Sequence, residues 1–160
     1  MGSGKTYWGR KWARQEGLAF YDLDEVIEKE QGKSVADIFE NEGEAYFRKI
    51  ESVALQSFSD NNNCIIACGG GTACFHDNIQ WMNKNGTTVY LSADPKYILK
   101  RVIEETAERP LIKKLNEAEL LFFIEQKLKE REPFYMQAKN ILPAYKLDET
   151  TFSNFNFKTN

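Results

Sequence analysis

Short apolar runs alternate with segments of helical periodicity along this chain of 160 residues. The runs 18–21, 64–68 and 87–91 are predicted to be buried strands, because each is apolar and is followed by polar residues or glycine. Between and after them, apolar residues recur at a spacing of three or four, which predicts helices. This alternation predicts an α/β domain with a mostly parallel sheet and helices on both faces.

Capping patterns and prolines predict where the helices begin and end. Ser34 with Asp37, and Asn116 with Glu119, each place a capping residue three positions before an acidic partner, which predicts a helix start. Pro133 is expected to end or kink the long helix that contains residues 120–128, because a proline inside a helix removes a hydrogen bond. The other predicted helices start at residue 24, run from 42 to near 60, and cover 75–84 and 95–104.

Length and composition exclude several classes of protein. With 42% hydrophobic residues, the chain suits a single domain over residues 1–160. No apolar run is longer than that of 64–68, which is far shorter than the roughly 20 residues that cross a bilayer. The odd number of cysteines, three, and the lack of a secretion signal indicate a reducing compartment, and a net charge of −3 argues against a broad nucleic-acid surface. We therefore expect a cytoplasmic protein without nucleic-acid or membrane partners, and we expect a monomer.

The first residues, Met-Gly-Ser-Gly-Lys-Thr, contain the end of a phosphate-binding loop pattern, G-K-[ST]. In such a loop the glycines let backbone amides converge on phosphate oxygens, while Lys5 supplies a positive charge and Thr6 a hydroxyl ligand for Mg²⁺. The first glycine of the full pattern would precede Met1, so the motif is incomplete. The alternative is a flexible start to the chain, and the other motifs decide between the two.

Two carboxylates follow the first predicted strand, in the sequence Asp22-Leu23-Asp24. If the strand continues through them, their spacing directs both to one side. Asp22 could then bind Mg²⁺, directly or through water, and Asp24 could accept hydrogen bonds from substrate hydroxyls. The alternative is that Asp24 only caps the next helix.

Arginines and a run of glycines complete the candidate site. Arg48 precedes Glu51 by one helical turn, so Glu51 could orient the guanidinium toward a carboxylate ligand, or the two could form an exposed ion pair. Glycines 69–71 follow a predicted strand and permit close approach of a ligand, with a tight turn as the alternative. Arg109 lies in a polar connection that could act as a mobile cover, or it is an ordinary loop cation. Arg131 ends the long helix, where it could instead complement the helix dipole.

The remaining polar residues give weaker signals. Cys64, Cys68 and Cys74 lack the spacing of a zinc site and are predicted to be small buried residues. His76 is the only histidine, so neither a catalytic triad nor a multi-histidine metal site is supported.

In their order and spacing these motifs resemble those of shikimate kinase. The resemblance covers residues 1 to about 140 and rests on Gly2-Ser3-Gly4-Lys5-Thr6, Asp22-Leu23-Asp24, Phe47-Arg48 with Glu51, Gly69-Gly70-Gly71, Arg109-Pro110-Leu111 and Arg131-Glu132-Pro133-Phe134-Tyr135. It implies a three-layer P-loop kinase fold with a mostly parallel sheet, similar to that of nucleoside monophosphate kinases. It also implies ATP-dependent phosphorylation of the shikimate 3-hydroxyl, on the route to chorismate and the aromatic amino acids, with ATP and Mg²⁺ bound.

The resemblance also implies roles for the matching residues. ATP would be bound by Gly2, Ser3, Gly4, Lys5, Thr6 and Tyr7, with Thr6 and Asp22 at the metal and Arg109 closing over the phosphates. Shikimate would be held by Asp24, Arg48, Arg131, Gly69, Gly70 and Gly71, with Phe39 and Phe47 beside the ring. Phenylalanines are most often core residues, which is the alternative for the last two. The catalytic residues would be Lys5, Asp24 and Arg109.

The sequence departs from the family at three places. The family begins with an apolar central strand that leads into the phosphate loop, whereas this sequence starts inside the loop. We therefore expect the first strand to be missing, through a late start codon or a clipped chain. The lid, around 104–115, is more acidic than is usual, and the tail 148–160 lacks the periodicity of a closing helix. The alternative functions are a kinase for another small hydroxy acid and a truncated, non-catalytic protein that binds shikimate.

Overall fold

The structure is a computed structural model that describes residues 2–60, 63–106 and 116–154. Its helices are α1 (Lys5–Glu16), α2 (Leu23–Gln31), α3 (Val35–Asn41), α4 (Gly43–Gln56), α5 (Asn78–Asn85), α6 (Pro95–Thr106), α7 (Glu117–Tyr135) and α8 (Thr151–Asn154). Its strands are β1 (Ala19–Asp22), β2 (Cys64–Ala67), β3 (Val89–Ser92) and β4 (Asn140–Pro143). Short 3₁₀ turns cover Thr72–Cys74 and Ala144–Lys146.

The four strands form two parallel pairs. β1 pairs with β2, with Asp22 opposite Ala67, and β3 pairs with β4, with Ser92 opposite Pro143. Helices connect the two strands of each pair, as the crossover between parallel strands requires. The predicted α/β class with parallel strands is confirmed. Because β1 and β2 end at the same edge, Asp22 lies near the glycines that follow β2.

A largely apolar slot of about 750 Å³ lies between β2 and β3. Within the described ranges β2 pairs only with β1 and β3 only with β4, so each strand has an edge of unpaired backbone groups. Residues of both strands line the slot, together with Trp12 from α1 and Leu128 from α7. No strand of the described residues fills it.

Three apolar clusters pack the helices onto the strand pairs. The first joins α2, α3 and α4 through Leu23, Ile27, Ile38, Phe47, Ala54 and Leu55. The second lies around β3 and β4 and contains Trp12, Leu91, Leu142 and Ala144. The third joins α6 to α7 through Ile98, Val102, Leu120 and Ile124. None of the helices in the described ranges has both the length and the apolar content needed to span a membrane.

Both predicted capping boxes are confirmed. Ser34 Oγ accepts from the Asp37 N–H at 3.1 Å, and Asn116 Oδ1 accepts from the Glu119 N–H at 3.0 Å. In return, the two acidic side chains accept from the N–H groups of their capping residues. These reciprocal bonds satisfy amides that have no helical acceptor, so they determine where α3 and α7 begin.

Some predicted boundaries are wrong. α4 ends at Gln56 and not near residue 60, and α5 begins at Asn78 and not at Phe75. Phe75 is extended, and His76 and Asp77 have positive φ angles, so none of these three residues is helical. Pro133 does not end α7, which continues to Tyr135. A proline so close to the helix end removes one hydrogen bond without breaking the turns before it. The first helix after the phosphate loop and β4 were not predicted, since α1 holds few apolar residues and β4 only a two-residue apolar run before Pro143.

Candidate active site

The phosphate loop leads from Gly2 into the first turn of α1. Gly2 and Gly4 have φ angles of +56° and +82°, a left-handed conformation that favours glycine. Gly4 caps α1, whose first turn begins at Lys5 and leaves its backbone N–H groups without helical acceptors. Ser3, between the glycines, is buried. Unpaired amides at the positive end of a helix dipole are suited to a phosphate group.

Thr6 and Asp22 meet beside this loop. The Thr6 hydroxyl donates to Asp22 Oδ2 at 2.9 Å, although 16 residues separate them in sequence. The other carboxylate oxygen, Oδ1, accepts from the Asp24 N–H at 3.2 Å and caps α2. A hydroxyl and a carboxylate are oxygen ligands of the kind that Mg²⁺ prefers, so this pair fits a magnesium site at the phosphate loop.

Asp24 lies in the first turn of α2 and not in the strand. β1 ends at Asp22, so the condition that the strand continues through both carboxylates is not met. The alternative that Asp24 caps the helix is also wrong, because Asp22 is the cap. Burial raises the pKa of Asp24, the charges of Asp22 and Glu51 raise it further, and Lys5 opposes the shift. Asp24 is therefore a half-buried carboxylate close to the lysine of the phosphate loop.

Arg48 is buried among carboxylates. Its Nη1 donates to Glu51 Oε2 at 2.8 Å, and its Nε and Nη2 donate to Glu44 Oε1 at 3.1 and 3.0 Å. Glu51 is fully buried and also accepts from the Thr72 hydroxyl at 2.5 Å. Burial alone would lower the pKa of Arg48, but the hydrogen bond and charge of Glu51, followed by those of Glu44, raise it above its ordinary value. The alternative of an exposed ion pair is therefore wrong for Arg48 and Glu51.

Three phenylalanines surround the Arg48 guanidinium. Its Cζ lies 5.6 Å from the centre of the Phe39 ring, 5.2 Å from that of Phe47 and 4.7 Å from that of Phe75. The Phe39 and Phe47 ring centres are 4.6 Å apart. Phe47 is at the same time a core residue, so the core interpretation is confirmed for it, while its place beside the substrate ring stays a prediction. Rings at these distances attract the cation and cover it from water.

The glycine run after β2 is needed for close packing and not for unusual backbone angles. A β carbon at position 69 would lie 3.2 Å from Glu51 Oε1 and 3.4 Å from Asp24 Oδ1. A β carbon at position 71 would overlap the Arg48 guanidinium. None of glycines 69–71 is among those with positive φ. The loop therefore packs directly against the charged side chains of the site.

Arg131 reaches the same region from α7. It lines one cavity with Lys5, Gly69, Gly70 and Tyr135. Burial raises the pKa of Tyr135, and the positive charges of Arg131 and Arg48 both oppose the shift. The two arginines act in the same way on Cys74, whose pKa burial also raises. Arg48 and Arg131 thus converge on the glycine loop from two different helices.

One predicted residue of the described chain, Tyr7, is not brought into this cluster. Tyr7 is exposed in the first turn of α1 and packs edge to face on Trp8, with ring centres 5.1 Å apart. Arg109 lies outside the described residues, as does most of the predicted lid. The three cysteines form no disulfide and are only partly buried, and burial raises the pKa of the Cys68 thiol to about 12.

Several residues at the site are not among the site residues predicted from the sequence, although one of them, Tyr135, lies in the motif that begins at Arg131. The Tyr135 hydroxyl donates to the Gly70 carbonyl, and this tyrosine follows Arg131 by four residues, a spacing that places both on one helix face. Thr72 directly follows the glycine run, and Phe75 comes soon after it. Arg101 lies against Gly4, where a β carbon would be 3.2 Å from its Nη1. The helical spacing could have indicated Tyr135, whereas Arg101 looks like any charged residue of an amphipathic helix.

Comparison with known proteins agrees with the resemblance of the motifs. The family model of shikimate kinase matches residues 1–153. A shikimate kinase of Bacteroides fragilis is 42% identical over 149 residues, which are 93% of this chain and 83% of that protein. One from Caldanaerobacter subterraneus is 44% identical over 135 residues, 84% of this chain and 77% of that protein.

Solved structures give the same result. The shikimate kinase of Bacteroides thetaiotaomicron superimposes with a TM-score of 0.88 at 38% identity, covering 96% of this chain and 88% of that one. The shikimate kinase of Acinetobacter baumannii in complex with shikimate has a TM-score of 0.78 at 32% identity, covering 89% of this chain and 78% of that one.

Proposed function

Because this chain belongs to the shikimate kinase family, its activity is the phosphorylation of shikimate, and we propose that ATP is the donor and that Mg²⁺ accompanies it. The observation that carries the proposal is the convergence of Lys5, Asp24, Arg48 and Arg131 on the loop of glycines after β2. A phosphate-binding loop, a carboxylate of raised pKa and two cations therefore lie around the same run of glycines, which supports the proposal. A kinase for another hydroxy acid and a non-catalytic binding protein are not favoured, since the relatives that share these motifs are shikimate kinases.

We assign the phosphate groups of ATP to the loop from Gly2 to Thr6. The free amides of the first turn of α1 would donate to phosphate oxygens, and Lys5 would add a positive charge. Tyr7 belongs to the proposed ATP site through the family resemblance alone. Thr6 and Asp22 would hold Mg²⁺, which when bound with ATP neutralises charge on the phosphate oxygens.

We assign the other side of the cavity to shikimate. Arg48 and Arg131 would bind its carboxylate from two directions, and a guanidinium can do so with two parallel hydrogen bonds. The backbone of glycines 69–71 and the Asp24 carboxylate would contact the ring hydroxyls. Phe39 and Phe47 would lie beside the ring, where their contact with Arg48 also holds that side chain in place. Two fixed cations on one side and a carboxylate on the other orient the substrate.

The chemistry required of the chain is alignment and proton transfer. The substrate oxygen forms a bond to the γ-phosphorus as the bond from phosphorus to ADP breaks, and Asp24 accepts the hydroxyl proton. A raised pKa suits this role, because a carboxylate in a partly buried, negatively charged setting binds a proton more strongly than an ordinary aspartate. Lys5 would offset negative charge on the group in transfer.

The remaining parts of the proposal come from the family. Residues 1–160 would form one domain whose lid, around 104–115, closes Arg109 over the phosphates and excludes water. The tail, 148–160, would be atypical. We further propose a cytoplasmic monomer with small-molecule partners only.

A coupled assay of ADP release tests the function. We expect turnover with ATP and shikimate together. We expect no turnover when shikimate is replaced by a hydroxy acid whose carboxylate is at a different position relative to its hydroxyl groups. Calorimetric titration with shikimate separates the alternatives, since binding without turnover would identify a non-catalytic protein. Turnover with a different hydroxy acid, in preference to shikimate, would contradict the substrate assignment.

A further inference from the structure

The Arg48 guanidinium is held by two carboxylates that differ in accessibility. Glu51 is fully buried and receives a second hydrogen bond from Thr72, so it is a fixed partner. The Glu44 side chain is 56% exposed and accepts from Arg48 at 3.0 and 3.1 Å, its only hydrogen-bond donor among the residues that the structure describes. The buried partner uses Nη1, whereas the exposed partner occupies the edge formed by Nε and Nη2.

We propose that Glu44 occupies the position of the substrate carboxylate on Arg48 and competes with it, so that Glu44 sets the apparent affinity for shikimate. The inference rests on the proposed function, in which Arg48 binds that carboxylate. It assigns Glu44 a role in binding that differs from that of Glu51, which only positions the arginine.

The surroundings of Arg48 cover most of the guanidinium and restrict how a substrate carboxylate can approach it. Phenylalanine rings at positions 39, 47 and 75 lie within 6 Å of its Cζ, and Gly71 packs against the guanidinium. Glu51 occupies Nη1 from the protein interior. The Nε and Nη2 edge is a two-donor edge that a carboxylate can occupy, and its present acceptor is the exposed Glu44. A substrate carboxylate that uses this edge has to displace Glu44.

Electrostatic repulsion also favours displacement of Glu44 from Arg48 over binding of Glu44 and the substrate carboxylate at the same time. Arg48 with two ionised glutamates has a net charge of −1, which repels a further carboxylate. When Glu44 moves away, the pair of Arg48 and Glu51 is neutral and Arg131 contributes a positive charge nearby. Glu44 lies in the first turn of α4, where the helix dipole stabilises a carboxylate that has no partner, and water solvates its exposed oxygens. Glu51 could not leave Arg48 in the same way, because it is fully buried and water cannot solvate its carboxylate.

Glu44→Gln tests the inference, with Glu42→Gln as the matched control. Both substitutions remove one negative charge from the start of α4, but Glu42 pairs with Lys33 and not with Arg48. Since an exposed ion pair of this kind is weak, we expect Glu44→Gln to lower KM and Kd for shikimate about two- to fivefold. The KM for ATP should not change, nor should kcat. In Glu42→Gln all of these values should remain those of the unmodified protein.

The outcomes separate this inference from the proposed function. A higher KM for shikimate in Glu44→Gln would overturn the inference and make Glu44 a positioning residue like Glu51. An equal decrease in Glu42→Gln would overturn it too, because the effect would then be one of general charge. Arg48→Ala is measured in parallel. If Arg48→Ala does not weaken shikimate binding, the assignment of Arg48 in the proposed function is wrong. If Arg48→Ala weakens binding strongly while Glu44→Gln has no effect, only the competition by Glu44 is excluded.

Discussion

At the scale of single residues, Asp24 has a proposed catalytic role and is not needed to cap α2. Its neighbour Asp22 caps α2, so replacing the Asp24 carboxylate leaves the helix start intact. We expect Asp24→Asn to lower kcat at least about tenfold, equal to about 1.4 kcal/mol of barrier, because an amide cannot accept the hydroxyl proton. Steady-state kinetics measure this, with Glu25→Gln as a control at the adjacent exposed position. Unchanged turnover in Asp24→Asn would remove the proposed role.

The same carboxylate is expected to cost the folded state stability at neutral pH. The pKa of Asp24 is raised above 3.8 in the folded chain, so folding favours its protonated form. The protonated Asp24 carboxyl therefore contributes to the stability of the folded state at a pH below its pKa in the unfolded chain. This contribution is lost as the pH rises through its pKa in the folded chain. Asp24→Asn, which is neutral at every pH, should therefore have a higher Tm than the unmodified protein at pH 7. The difference should shrink as the pH falls toward 4, as measured by thermal denaturation followed by circular dichroism. A Tm difference that does not vary with pH would contradict the shift.

Arg131 is expected to distinguish the two substrates. It lies on the wall of the cavity beside the glycine loop. Its positive charge, like that of Arg48, lowers the pKa of nearby Cys74. Because a lost charge-assisted hydrogen bond typically costs about 1.5–3 kcal/mol, Arg131→Ala should raise the KM for shikimate at least about tenfold. The KM for ATP should change much less. Lys129→Ala removes the same charge from an exposed position of α7 and serves as the control. Equal losses for both substrates in Arg131→Ala would contradict the assignment.

At the scale of elements, the loop after β2 is the part most sensitive to added volume. A methyl group at position 71 would overlap the Arg48 guanidinium, which has a fixed partner in Glu51 and cannot move without breaking that pair. We expect Gly71→Ala to destabilise the fold by about 1–3 kcal/mol and to raise the KM for shikimate. Gly86→Ala is the control, since its β carbon would make only an ordinary contact at 3.8 Å. Denaturant unfolding gives the free energy of unfolding of the two variants, and steady-state kinetics give their KM for shikimate. Equal values for Gly71→Ala and Gly86→Ala would contradict close packing at residue 71.

The elements that the sequence predicts well are those with local signals. Ser34 with Asp37, and Asn116 with Glu119, form their capping boxes within four residues, so the starts of α3 and α7 need no information from the rest of the chain. β4 has no such signal, because its short apolar run becomes a strand only through pairing with β3, some 50 residues earlier. The length of α7 beyond Pro133 likewise depends on what surrounds the helix end, which includes the bond from Tyr135 to Gly70.

The candidate site likewise contains residues that local motifs predict and contacts that depend on the rest of the fold. The motifs predict that Lys5, Asp22 and Arg48 matter, because each lies in a recognisable local pattern. The pattern does not show that Asp22 would be the cap of α2, nor that Glu44 would share Arg48 with Glu51. These pairings depend on side-chain burial, which a spacing of three or four residues does not determine. Thr72 and Phe75 lie at the site because the loop after β2 passes Arg48 and Glu51. The path of this loop cannot be predicted from the periodicity of the sequence.

At the scale of the whole molecule, the site depends on both strand pairs. Asp22 ends β1, Asp24 follows this strand and the glycine loop follows β2. α4, which carries Arg48, packs against α2 and α3 beside them. Arg131 instead belongs to α7, which packs on α6 on the side of β3. Between the two sides lies the slot of about 750 Å³, bridged at the site by the bond from Tyr135 to Gly70. The relative position of Arg48 and Arg131 therefore depends on how firmly the two pairs are held together.

The slot predicts how the molecule can be stabilised. It is lined by the open edges of β2 and β3, is mostly apolar, and has Ser3 and Lys5 of the phosphate loop among its lining residues. An extended apolar segment of five residues, fused ahead of Met1, could pair in parallel with both strands and join the four strands into one sheet. Because several apolar side chains would be buried at about 1.5–3 kcal/mol each, we expect Tm to rise by at least about 5 °C.

A segment of the same length made of glycine and serine is the control, since it can bury little apolar surface. We expect it to leave Tm unchanged, and we expect the apolar segment also to reduce the binding of a hydrophobic dye, because the slot would no longer be open to it. Filling the slot should in addition lower the KM for shikimate, as it would fix the α7 side of the molecule, with Arg131, relative to the side that carries Arg48. An equal Tm for the apolar and the glycine-serine fusions would show that the two strand edges do not accept a strand between them.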